Sequence, residues 1–93
     1  MKRVFLIDAD YHWADRFASS TCSSEEIVVA GIAQDYETAV EAIKERNPSI
    51  ILVDQSADDD RGIVVLEKIA KEFFYIPVVF TTHRKNDATL WRK

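Results

Sequence analysis

Asn47-Pro48-Ser49-Ile50-Ile51-Leu52-Val53-Asp54 is the stretch on which the reading of this chain turns. Proline disfavours a helical conformation in the residue before it, so Asn47-Pro48 closes a preceding helix. The apolar residues 50–53 then run directly into a carboxylate. A short, unbroken apolar run between turn signals fits a strand buried on both faces. A second run, Val4-Phe5-Leu6-Ile7, ends in Asp8 in the same way. Parallel strands would bring both acids out at one edge of a sheet, where open α/β folds bind their ligands. Two carboxylates held together repel, and a cation or a shared proton relieves that repulsion.

Working outward, the first strand is expected over 3–7 and a helix over 11–20, with Trp13, Ala14 and Phe17 facing inward at helical spacing. The Ser/Thr/Cys cluster 19–24 marks a turn. Residues 27–30 read as strand two. Asp35 suits the N-cap of a helix over 36–46, whose apolar stripe is Ala39, Val40 and Ile43. After strand three comes an acidic loop, then a helix outlined by Ile63, Leu66, Ile69, Ala70 and Phe73. Residues 76–82 form strand four, entered through Pro77. Asn86 or Asp87 would cap a last helix through Leu90-Trp91 that has barely one turn before Lys93. Alternating strands and helices with continuous apolar strands predict a parallel sheet in a three-layer α/β sandwich. There is no internal repeat, low-complexity tract or interdomain linker.

Ninety-three residues make one small domain, 1–93. A hydrophobic fraction of 47% argues against disorder. Twelve basic and sixteen acidic residues leave a net charge of -4, which argues against broad nucleic-acid contact. The basic residues Arg84, Lys85, Arg92 and Lys93 form only a weak patch, and no helix-turn-helix segment remains once the α/β elements are assigned. Cys22 is the only cysteine, which excludes an intrachain disulfide and a four-cysteine metal site; it reads as a helix-end residue without a chemical role. No apolar stretch approaches the roughly 20 residues of a membrane span, so a cytoplasmic location is expected.

With these pieces in order, the chain resembles a bacterial response-regulator receiver domain, which has a flavodoxin-like fold. Residues 3–10, RVFLIDAD, resemble that family's first strand and acidic loop. Residues 31–39, GIAQDYETA, resemble the passage from strand two to the next helix. Residues 47–54 resemble the strand that carries the phosphorylated aspartate. Gly62, eight residues after Asp54, stands at the family's glycine position. Residues 76–82, IPVVFTT, resemble the fourth strand with its switch hydroxyl. The likeness runs from Arg3 to the chain end but covers only part of a family domain. A receiver continues through a fifth strand bearing a lysine and a fifth helix, and Lys85 and Lys93 are not assigned that lysine's role. The fold is therefore expected to lack its last strand and helix, leaving an apolar edge that invites pairing with another chain.

The resemblance implies that Asp54 is the nucleophile that takes a phosphoryl group from a sensor histidine kinase or a phosphotransfer protein. It implies Mg2+ as cofactor, because the acceptor, its acidic neighbours and the phosphate are all negative. Asp8 would hold the metal through water, and the Ser56 backbone carbonyl would complete its shell. Thr82 would hydrogen-bond a phosphoryl oxygen, whereas period-two alternation would send Thr81 to the opposite face. Departures are visible. Ala9 replaces the family's second acid, a direct metal ligand; Asp10 would compensate only if the loop shifts, and Mg2+ affinity should weaken. Ala57-Asp58 replaces Met-Pro, and the run Asp58-Asp59-Asp60 reads as a solvated face or as a local concentrator of cations. His83 replaces a small residue and either restricts access to Asp54 or stacks outward. His12 reads as a surface or cap residue rather than a metal ligand.

The expected function is a two-component receiver module, phosphorylated on Asp54 and switching partner binding. Its alternative is a phosphorylation-independent pseudo-receiver serving as a protein-interaction or dimerisation module; a third reading is a structural module whose acids are merely inherited. Self-association is expected, since Phe80, Trp91 and the apolar side of the third helix need cover. A transcriptional output would be indirect, through a partner or an output domain, with no direct nucleic-acid or membrane contact.

Overall fold

The computed structural model describes residues 2–9, 16, 17, 19 and 26–81. The expectations for Asp10, His12, Trp13, Ala14, Cys22, Thr82, His83 and the C-terminal helix lie outside them. The described elements are β1 (Lys2–Ile7), β2 (Ile27–Ala33), α1 (Tyr36–Arg46), β3 (Ile50–Asp54), a single helical turn α2 (Ala57–Asp60), α3 (Gly62–Glu72) and β4 (Val78–Thr81). The strands form one parallel sheet in the order β2-β1-β3-β4. This is the expected α/β fold, a flavodoxin-like arrangement with four strands among the described residues. No helix among them is long and apolar enough to cross a membrane.

Local chemistry sets the ends of α1. The Asp35 carboxylate accepts a hydrogen bond from the Thr38 N–H at 2.8 Å, as an N-cap should. Asn47 closes the helix in the left-handed conformation, φ 50°, and its N–H reaches the Ile43 carbonyl. The Arg3 guanidinium then donates to the Arg46 and Asn47 carbonyls at 2.6 and 2.9 Å. A cation is thus held at the negative end of the helix, and β1 is tied to the turn that feeds β3.

Two apolar layers flank the sheet. Phe5 and Ile7 of β1 and Ile51 and Val53 of β3 pack against Ala39 and Ile43 of α1 and against Val65, Ile69 and Phe73 on the α3 side. On the other face Val4 and Leu6 meet Ile50, Leu52 and residues of β2, with Phe17 packed against them as expected. β2 runs longer than its first apolar residues suggest, and it changes phase midway. Val4 pairs with Val29 but Phe5 pairs with Gly31, so Ala30 is an extra, bulged residue. The bulge puts Ile27, Val29 and Ile32 on one face and Ala33 on the other. Arg46 donates to the bulged Ala30 carbonyl at 2.9 Å. A side chain at Gly31 would come within 2.7 Å of the Phe5 ring, so that ring lies where a Cβ would be.

α3 corrects one expectation. Its buried line is Gly62, Val65 and Ile69, continued by Phe73, with Leu66 half-buried; Ile63 and Ala70 are exposed. Both lines have helical spacing, so apolarity alone does not choose between them. The contact of Gly62 with the loop after β3 fixes the phase. The acidic stretch also differs from a plain loop: 57–60 make a helical turn, and Asp58 sits at φ 53°. β4 starts at Val78 rather than at residue 76, with Ile76 buried just before it.

Candidate functional site at the carboxyl edge of the sheet

The parallel register decides what meets at the carboxyl edge. Ile7 pairs with Val53, which sets Asp8 beside Asp54, and Asp54 pairs with Thr81. Asp8 and Asp54 are 0% and 1% exposed, and Thr81 is buried as well. Buried carboxylates need hydrogen bonds or opposite charge.

One serine serves both acids. The Ser56 N–H donates to Asp54 Oδ2 at 2.9 Å, and the Ser56 hydroxyl donates to Asp8 Oδ1 at 2.8 Å. From β4, the Thr81 hydroxyl donates to Asp54 Oδ1 at 3.0 Å. The strands β1, β3 and β4 are thereby joined at their tips through Asp8, Ser56, Asp54 and Thr81. Backbone bonds hold the surrounding loops: Asp8 N–H to the Ala33 carbonyl at 2.8 Å, Gln55 N–H to Thr81 at 3.0 Å, and Asp58 N–H to Gln34 at 2.8 Å.

The expectation for Thr81 is overturned. Alternation holds along β4, but its parity is fixed by pairing with β3, and residues paired across parallel strands share a face. Thr81 therefore joins Asp54, while Val78 and Phe80 pack against the opposite core. Ser56 was expected at the site through its carbonyl; its hydroxyl bridge was not anticipated. Part of that signal was present in the sequence, since an aspartate accepting the N–H two residues on is an Asx-turn.

Gly62 belongs to the same construction. A Cβ there would lie 2.4 Å from the Asp54 carbonyl oxygen and 2.4 Å from Gln55 Cα. Its own N–H donates to the Gln55 carbonyl at 3.1 Å. Both obstacles are main-chain atoms, so only glycine lets α3 begin flush against the loop that carries Asp54.

Among the described residues no three His, Cys, Asp or Glu side chains converge. Ala9 is exposed and offers no donor at that position. Magnesium, however, keeps several waters and commonly takes only one or two carboxylates together with phosphate oxygens. Two buried carboxylates sharing one serine fit that requirement.

Comparison with known proteins agrees with this fold. The model of the response regulator receiver domain matches residues 4–92, and the chain belongs to that family. The isolated receiver domain of RcsB from Salmonella enterica serovar Typhimurium, solved with phosphomimetic BeF3-, superposes with a TM-score of 0.77 at 19% identity, covering 97% of this chain and 67% of that one. The receiver domain of a modulated diguanylate cyclase from Desulfovibrio desulfuricans G20 gives 0.75 at 22% identity, covering 99% and 73%. The response regulator PhyR from Brucella abortus gives 0.68 at 25% identity, covering 85% of this chain but 32% of that protein. The chain likewise spans 46% of a longer RcsB structure.

The close approach at Gly62 is open to test. Gly62→Ala should lower unfolding stability by about 1–3 kcal/mol, the usual cost of overpacking, and shift the Asp54 and Gln55 amide resonances. Exposed Ile63→Ala, a control on the same helix, should stay within about 0.5 kcal/mol. Equal urea midpoints for the two variants would contradict the packing described.

Proposed function

We propose that this domain is a receiver module of a two-component system that accepts a phosphoryl group on Asp54 from a histidine kinase or phosphotransfer protein and thereby switches the binding of a partner. The observation that carries this reading is Asp54 itself, buried at the tip of a parallel strand beside Asp8, with hydroxyl and N–H donors on its two oxygens.

The residues divide the work. The Ser56 N–H fixes Asp54 Oδ2, while Oδ1 accepts from the Thr81 hydroxyl, which can rotate away. Oδ1 is then the oxygen that attacks phosphorus as the phosphorus–nitrogen bond to the donor imidazole breaks. The released Thr81 hydroxyl is placed to donate to a phosphoryl oxygen instead. Asp8, Asp54 and the Ser56 carbonyl would hold Mg2+, with Asp10 as an additional ligand and affinity weakened by Ala9. When bound, the ion neutralises charge among the carboxylates and the incoming phosphate. A cytoplasmic location belongs to the same reading.

A second reading, a phosphorylation-independent interaction module, is favoured by the exposed apolar residues Ile63, Val64, Phe74 and Tyr75, the third of these 83% exposed. Apolar exposure of this kind suits a partner or a second copy of the chain. Under either reading the output would pass through a partner or an attached output domain.

Incubation with acetyl phosphate and MgCl2 should add one phosphoryl mass to the intact protein, and Asp54→Asn should abolish the gain. No gain in wild type, or an equal gain in the variant, removes the phosphotransfer reading. Self-association is checked separately by sedimentation at micromolar concentration: dimers are expected, and a monodisperse monomer contradicts that part of the proposal.

A further inference from the structure

Ser56 does more than occupy a position near the acceptor. It donates to both acids, from its backbone to Asp54 and from its side chain to Asp8. Both bonds end on carboxylate oxygens that are almost fully buried. A neutral hydroxyl and an amide thus bring donors to the place where two buried carboxylates repel.

We propose that Ser56 is a positioning residue that stands in for the metal ion, its hydroxyl occupying Asp8 Oδ1 and being displaced when a divalent cation binds. The backbone bond to Asp54 Oδ2 needs no side chain and survives any substitution that keeps the loop. The hydroxyl bond is the part that competes. A cation that takes Asp8 Oδ1 displaces it, so the serine stabilises the metal-free domain and weakens apparent cation affinity. The inference rests on the phosphotransfer reading only for the choice of magnesium as the ion.

The competition has a signature that a merely structural serine lacks. In EDTA, Ser56→Ala should melt roughly 4–8 °C below wild type, the shift expected when a bond of about 1 kcal/mol is lost in a domain of this size. At saturating MgCl2 that gap should close. The Mg2+ dissociation constant from calorimetric titration should fall about fivefold in Ser56→Ala, the same bond expressed as affinity. Ser56→Thr, which keeps a hydroxyl, should return both values towards wild type. Should Ser56→Ala fail to fold, Ser56→Cys, similar in size but a weak donor, carries the same comparison. Magnesium affinity that is equal or weaker without the hydroxyl overturns the proposal, as does a melting gap that persists in saturating MgCl2. Lack of magnesium binding by every one of these proteins overturns it as well. A shifted affinity in a protein whose Asp54 takes no phosphoryl group would keep the role of Ser56 and remove only the phosphotransfer reading.

Discussion

The carboxyl edge of the sheet is organised by the problem of placing two aspartates side by side out of water. Asp8 and Asp54 come together because β1 and β3 are adjacent, parallel and in a register that aligns their last residues. Their burial is tolerable because Ser56 and Thr81 supply hydrogen-bond donors at short range. The surrounding architecture serves that arrangement. Gly62 lets α3 start against the Asp54 loop, Asp58 bonds back to the loop after β2, and Arg3 locks the helix that leads into β3.

The sheet solves a second problem, which is phase. β1 and β3 are buried on both faces and tolerate a simple apolar run, but β2 carries residues for both layers in an order that strict alternation cannot satisfy. The bulge at Ala30 resets the alternation, and Gly31 makes room for the Phe5 ring beside it. The strand thereby delivers Ala33 to the helix-covered core and allows its carbonyl to receive the Asp8 N–H.

The parts legible in the sequence were those governed by local rules. Apolar runs identified the strands, Asp35 and Asn47-Pro48 bounded α1, and the acids following residues 7 and 53 pointed to one edge. Parts governed by contacts between elements were not legible. The phase of α3 depends on one glycine pressing on backbone atoms of β3 and its exit, so apolar spacing alone outlines the helix without showing that Ile63 faces solvent. The parity of β4 depends on register with β3, so Thr81 was sent to the wrong face. The hydroxyl of Ser56 finds Asp8 across a separation of 48 residues, beyond any spacing rule.

Asp8 and Asp54 form one electrostatic unit, and a double-mutant cycle measures their coupling without ion or phosphate. Urea unfolding of Asp8→Asn, Asp54→Asn and the double variant, in EDTA, gives the coupling between the two positions. Shared burial predicts that the single effects fail to add by more than about 0.5 kcal/mol, because neutralising either acid already relieves the repulsion felt by both. Additivity within that margin would mean that the two aspartates act independently, and would contradict the site described.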